Sequence, residues 1–296
     1  MTLTMIKFMK YYWLYFLISA IFIVPGIYSL VNWGLNPSID FTGGSLLEIQ
    51  LSKPLAQAKL EQIAADNKIK IVSVQEVGDN TYLLKTQEFN QATNTDFQKK
   101  ISSTSAGLVT EKRFETLGPS LGLETLKRAL MAIAVAVLAI LIFIWIQFKD
   151  KKYGICAVLA MFHDSLVILG IFSLLGHFWG VEVDTLFVTA LLTSLSFSVH
   201  DTVVVYDRIR ETIKNHPKAD FETVVNKALS ETMSRSVNNS LTIIFMLTCL
   251  WLLGGQSIKW FVFALLIGTI SGTYSSPFVA TPLLVVWERI KRRKLK

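Results

Sequence analysis

The sequence is short of charge. Only 17% of its 296 residues are Asp, Glu, Lys or Arg, against 52% hydrophobic. A soluble domain carries about 25% charged residues. An ordinary water-soluble globule is therefore excluded, and a polytopic α-helical membrane protein is implied. Cysteine is scarce as well. Cys156 and Cys249 both lie in apolar runs, a placement that suits neither a structural disulfide nor a cysteine metal site. The net charge of +7 is not gathered on one soluble surface. The basic residues stand beside apolar runs, as topology signals do, so nucleic acid is not an expected partner.

What is present is long apolar runs. The first, residues 11–30, exceeds a signal-peptide core and is long enough to cross the ~30 Å hydrocarbon layer. It reads as an uncleaved first helix. Six spans are predicted: 11–31, 127–147, 154–177, 185–206, 235–254 and 260–287. The purely apolar part of the fifth, Leu241 to Leu253, is too short to cross, so that helix must begin near Arg235. Lys149, Lys151 and Lys152 follow span two. Arg208, Arg210, Lys214, Lys218 and Lys227 follow span four, and Arg289 with residues 291–294 follows span six. The loops on the other side are almost free of Lys and Arg. Both termini are therefore expected in the cytoplasm.

One soluble domain is expected outside, over residues 32–123, between the N-terminal helix (1–31) and helices two to six (124–288). A basic tail, 289–296, closes the chain. Residues 45–51 alternate as a strand, and 56–66 have helical composition. Strand patterns at 70–76 and 81–86 flank Val77-Gly78-Asp79-Asn80, a hairpin signal. A helix pattern at 92–105 and a strand at 108–116 complete a βαββαβ order, which points to an extracytoplasmic ferredoxin-like α+β domain. It contains no histidine and no obvious catalytic constellation.

Two His-Asp pairs interrupt the apolar runs, His163-Asp164 and His200-Asp201. A charge at bilayer depth costs several kcal/mol, so ion movement is the first hypothesis. At ~1.5 Å per residue Asp201 lies about 24 Å into span four, and Asp164 about 15 Å into span three. Asp207 falls near the cytoplasmic surface. Ser194, Ser198, Asp201, Val205 and Arg208 share one helical stripe, and Arg235, Asn238, Asn239 and Thr242 share another. Facing the stripes makes Ser198, Asn238 and Asn239 interface residues and lets Arg235 offset an ionised Asp201. A carboxylate that gains and loses a cation in this way suits a proton carrier. The alternative is a static ion pair that fixes helix register. A metal site is a weaker reading, because adjacent residues on a helix point about 100° apart and no third histidine joins them. His163 also reads as a hydrogen-bonded packing residue. Tyr206-Asp207 matches half of an intramembrane aspartyl protease pattern, but Gly-x-Gly-Asp is absent. Ala264, Gly268, Gly272 and Ser276 recur at four-residue steps and predict close helix contact.

Several segments resemble the SecF members of the SecD/SecF protein-export family. Ile39-Asp40-Phe41-Thr42-Gly43-Gly44 resembles the signature outside the first helix. The run from Asp201 to Glu211 resembles the fourth-helix motif. Ser234-Arg235-Ser236 with Asn239-Ser240-Leu241-Thr242 resembles the start of the fifth helix. Residues 263–268 and 272–276 resemble the sixth, and Leu117-Gly118-Pro119 the approach to the second. The resemblance covers nearly the whole chain. It implies an RND-like, non-enzymatic subunit of the bacterial inner (plasma) membrane that pairs with SecD into a twelve-helix bundle. It implies association with the SecYEG channel and use of the proton-motive force to move preproteins. Protons are the implied coupling ion, with no other cofactor and no metal. The implied proton-linked residues are Asp201 and Arg235, and Asp164 and His200 are further relay candidates. The chain departs from the pattern at His200, where relatives often carry Asn, and at Thr212, which follows Glu211.

Overall fold

The computed structural model describes residues 7–78, 80–148 and 150–294. Asp79 of the expected hairpin and Lys149 of the basic loop lie outside the described residues. The chain divides into two units. One holds the chain through Asn36 and from Ala132 onward, and the other is Pro37–Met131. The division falls inside a helix, so the second unit runs a few residues past the expected limit of 123.

The smaller unit opens with a one-turn helix α2 (Ile39–Thr42) and continues β1 (Gly44–Leu51), α3 (Gln57–Asp66), β2 (Ile71–Gly78), β3 (Thr81–Thr86), α4 (Gln91–Ile101) and β4 (Val109–Leu117). The strands form one sheet in the order β2-β3-β1-β4, and every neighbouring pair is antiparallel. Ser45 faces Thr86, Leu47 faces Leu84 and Ile49 faces Tyr82, so the odd residues of β1 share one face. That face and the apolar sides of α3 and α4 make the core of Leu47, Ile49, Leu60, Leu84, Phe97 and Ile101. A bulge between Glu48 and Ile49 shifts the register against β4.

Gly43 and Gly44 join α2 to β1 at φ +72° and +125°. A Cβ on Gly43 would stand 2.6 Å from the Pro119 Cα, and one on Gly44 would stand 2.7 Å from the Thr86 carbonyl oxygen. Both positions therefore need glycine for backbone conformation and for close approach.

The larger unit contains α1 (Tyr12–Asn32), the part of α5 (Pro119–Gln147) from Ala132 onward, α6 (Lys151–Trp179), α7 (Thr185–Asn215), α8 (Phe221–Leu253), α9 (Lys259–Ser275) and α10 (Thr281–Lys294). Among the described residues, six spans, with α9 and α10 counted as one, are long and apolar enough to cross a membrane. Their starts are built from side-chain caps: Asp150, Asp184 and Asp220 accept first-turn N–H groups of α6, α7 and α8. Gly180, left-handed at φ +64°, ends α6.

Packing here inverts that of a soluble protein. The buried residues of α1 are Ser19, Gly26 and Ser29, while Leu17, Ile21, Phe22 and Val24 are exposed. Small residues let α1 and α6 approach closely. A Cβ on Gly26 would stand 3.0 Å from the Gly170 Cα, and the Ser29 and Ser173 hydroxyls meet at 2.6 Å. Along α5, Leu138, Ile142 and Trp145 are exposed, as lipid-facing side chains should be.

Three spans differ from expectation. Helices α7 and α8 continue past their apolar segments, to Asn215 and from Phe221. The extensions are held by Arg208, which pairs with Glu211 (2.6 Å) and Glu231 (2.7 Å), and by buried Phe221, Val225 and Leu229. The sixth span is interrupted by a π turn, Ser276–Ala280, at Pro277. Proline has no N–H to give the helix, and the wider turn accommodates its ring.

Candidate functional site in the membrane helices

The polar centre of the bundle is built on Asp164 of α6, which is 1% exposed. Its Oδ2 accepts hydrogen bonds from Ser198 of α7 (2.5 Å) and Ser275 of α9 (2.6 Å). Its Oδ1 accepts from Ser271 of α9 (2.6 Å) and pairs with His163 Nδ1 (3.0 Å). The other ring nitrogen of His163 meets the Ser19 hydroxyl of α1 at 2.9 Å. One carboxylate thus ties four helices, with all its acceptor positions engaged.

The spacing explains the convergence. Ser194, Ser198 and Thr202 lie one turn apart on α7, and Ser271 and Ser275 lie one turn apart on α9. Both rows face α6 because small residues bring α7 and α9 together. A Cβ on Gly272 would stand 3.2 Å from Ser198, and one on Gly268 would overlap Ser194. The small-residue row of the sixth span therefore packs on a helix of the same chain.

Asp201 lies on α7 toward the π turn. Its Oδ1 accepts from the Ser236 hydroxyl of α8 at 2.7 Å. Its Oδ2 is buried and has no hydrogen-bond partner among the described residues. The Ser276 hydroxyl also approaches this carboxylate, but it is engaged with Thr202 (2.9 Å) and the Gly272 carbonyl (3.2 Å). Tyr206, one turn on, donates to the Ala280 carbonyl at 2.8 Å and fixes α7 to the π turn.

The sequence reading paired Asp201 with Arg235, and the structure places them differently. Arg235 is exposed and makes no ion pair among the described residues. Ser236, the next residue, is the one turned toward Asp201. A one-residue step rotates the side chain about 100°, so the inward row of α8 is Ser236 and Ser240, the latter bonded to Thr273 at 2.7 Å. The stripe of Arg235, Asn238, Asn239 and Thr242 exists, but it points out of the chain. Asn238 and Asn239 are accordingly not at an interface between helices of this chain. His200 is exposed too. Ser198, expected opposite α8, is committed to Asp164 instead. Of the glycine motif outside the first helix, Phe41 is buried, and Thr42 donates to the Ser38 carbonyl at 3.0 Å. The Asp40 amide caps on the Ser38 hydroxyl at 3.2 Å.

Sequence reasoning missed Ser19, Ser236, Ser271, Ser275 and Ser276. The available signal was the i, i+4 spacing of hydroxyls on two apolar helices, which is weak because serine also serves plain helix packing.

Fold and site together define a polytopic membrane protein with an acid-and-hydroxyl centre between its own helices. Residues 96–290 match the family model for the protein export membrane protein SecD/SecF, C-terminal, and residues 28–55 match the SecD/SecF GG motif. The chain belongs to the SecD/SecF family. It is 41% identical to the protein translocase subunit SecF of Thermobaculum terrenum, over 96% of this chain and 94% of that one. It is 40% identical to SecF of Anaerolinea thermophila, over 93% of this chain and 92% of that one. Among solved structures it is similar to SecDF from Thermus, described as a translocon-associated membrane protein, with a TM-score of 0.85 and 28% identity. That match covers 98% of this chain but 40% of the other, so the chain spans less than half of the SecDF chain. SecDF in a super-membrane-facing form matches with a TM-score of 0.71.

Proposed function

We propose that the chain is the SecF-type subunit of a Sec-pathway translocase and couples the proton-motive force to preprotein movement through the SecYEG channel. The observation that carries this reading is Asp201. It is a carboxylate in a spanning helix with one oxygen held by Ser236 and the other buried without a hydrogen-bond partner among the described residues. An intramembrane acid left half-bonded is costly unless it exchanges a proton or meets a partner from outside the chain. Arg235, Asn238, Asn239 and His200 turn polar groups outward on the same two helices. Polar faces on spanning helices belong against protein or water. SecD, supplying the second six helices, is the partner that fits, and Arg235 faces it.

In this reading Asp201 is protonated from outside, its carboxylate loses its charge beside Ser236, the helices shift, and the proton leaves inward. A transmembrane potential supplies ~2.3 kcal/mol per elementary charge per 100 mV, enough to bias two conformations. The basic loops support a bacterial inner membrane location with both termini cytoplasmic. Residues 32–123 are then extracytoplasmic. Their βαββαβ order and strand order β2-β3-β1-β4 support a ferredoxin-like fold.

The test is Asp201→Asn in the assembled complex. Proton-dependent stimulation of export should fall to the level without the subunit, with assembly intact. Arg235→Met should behave alike. Normal stimulation in Asp201→Asn overturns the reading. The second reading is a structural subunit without proton coupling. It draws on Asp164, whose saturated hydrogen bonds suit a fixed tie between helices. Loss of assembly in Asp201→Asn would favour it.

A further inference from the structure

At the end of the bundle where α1 begins, α8 begins and α10 runs out lies a cavity of about 550 Å³. The 3₁₀ turn Phe8–Tyr11 forms one wall. Met9 is fully buried in the bundle core, and its N–H donates to Asn226 Oδ1 of α8 at 3.0 Å. The turn is thereby clamped to α8, and Lys7 and Lys10 flank the buried Met9, both exposed and both lining the cavity. Arg289 of α10 completes the cationic lining and stacks over the Tyr12 ring at 5.2 Å.

Two acids also line it, but their charges are met locally. Glu222 accepts from Arg289 at 2.6 Å. Asp220 caps the Glu222 N–H at 3.1 Å and accepts from Arg292 at 3.3 Å. Among the described residues, neither Lys7 nor Lys10 makes an ion pair. Among the described residues, the two ammonium groups of the cavity therefore have no ion-pair partner of their own.

We infer that this cavity binds the phosphodiester of an anionic phospholipid headgroup, through Lys7 and Lys10. The ligand chemistry is that of a phosphate. The source is lipid because the cavity opens where α1 begins, and α1 presents Leu14, Leu17 and Ile21 to the surroundings. Exposed Tyr11 and Trp13 stand beside it, as aromatic residues do at headgroup level. A basic cavity between spanning helices at that level is a headgroup site by charge and by position. The inference is independent of the proton-coupling reading.

Native mass spectrometry of the full chain, purified with its accompanying partner, tests it. Phosphatidylglycerol and phosphatidylcholine are added in equal amounts. The wild type should retain phosphatidylglycerol preferentially. The variant K7Q/K10Q should weaken that retention about 30-fold, a factor of roughly five per lysine. Lys214→Gln, an exposed basic residue outside the cavity, should leave it unchanged. Equal retention of both lipids by the wild type overturns the site, as does an equal loss in Lys214→Gln. Binding of inorganic phosphate without preference between the lipids overturns the lipid assignment.

Discussion

At the residue scale the chain holds two intramembrane acids in opposite circumstances. Asp164 is surrounded by donors from three helices, and Asp201 among the described residues is bonded on one oxygen. Removing Asp164 strands three buried hydroxyls and His163. At about 1–3 kcal/mol for each buried group left unsatisfied, and less than additively, Asp164→Ala should cost about 3–5 kcal/mol. Asp201→Asn keeps an acceptor for Ser236 and should cost about 1 kcal/mol or less. Thermal unfolding of the purified complex compares them, and a smaller drop in Asp164→Ala than in Asp201→Asn would reverse these roles. The two acids were legible in sequence because carboxylates are rare in apolar runs. Their partners were not. A serine in a membrane helix carries no mark of which neighbour it faces, and the choice between Arg235 and Ser236 is a rotation of one residue that only packing fixes.

At the scale of elements, glycine decides two contacts. Helices α1 and α6 meet backbone to backbone at Gly26 and Gly170, where a Cβ on Gly170 would stand 2.5 Å from the Gly26 Cα. Gly170→Leu should force the helices apart and cost about 2–3 kcal/mol or more. Gly255→Ala, with nothing within 4 Å, should be nearly neutral by comparison. In the smaller unit Gly43→Ala meets both a positive φ and Pro119. It should cost about 1–2 kcal/mol from conformation alone. Circular dichroism melts of these variants rank the three, and a neutral Gly170→Leu would mean that α1 and α6 do not pack at these glycines. The apolar length of each span was visible in the sequence. The continuation of α7 and α8 was not, because their outer turns are amphipathic and are ordered by Arg208, Glu231 and the buried Phe221. The π turn was not anticipated, since the sixth span was read unbroken over 260–287, and Pro277 by itself does not say how the chain resumes.

At the scale of the whole molecule, the smaller unit carries its own electrostatic signature. Burial pushes the Lys85 ammonium in β3 down to about 8 from its ordinary 10.5. The folded state then releases the proton before the unfolded chain does. Between about pH 8 and 10.5 the unfolded chain binds more protons, so this group's contribution to stability rises with pH through that window. Below pH 8 the lysine is charged in both states and its burial is a constant cost. Lys85→Met should flatten this rise, read as the difference between the two pH profiles of thermal midpoint. Parallel profiles from pH 8 to 10.5 would show that Lys85 is not shifted.

The sequence by itself determined that this is a polytopic membrane protein. Hydrophobic length and loop charge are local properties, and the bilayer acts on them segment by segment. It also determined the strand periodicity of the smaller unit and the positions of the two acids. The tertiary structure alone decided which acid is saturated and which is half-bonded, and which face of α8 turns inward. It also brought residues 7–12, 220–226 and Arg289 together around one cavity. Those outcomes depend on helix rotation and close approach. Both are set by residues meeting across more than a hundred positions in the chain, as Ser19 meets His163 and Gly26 meets Gly170.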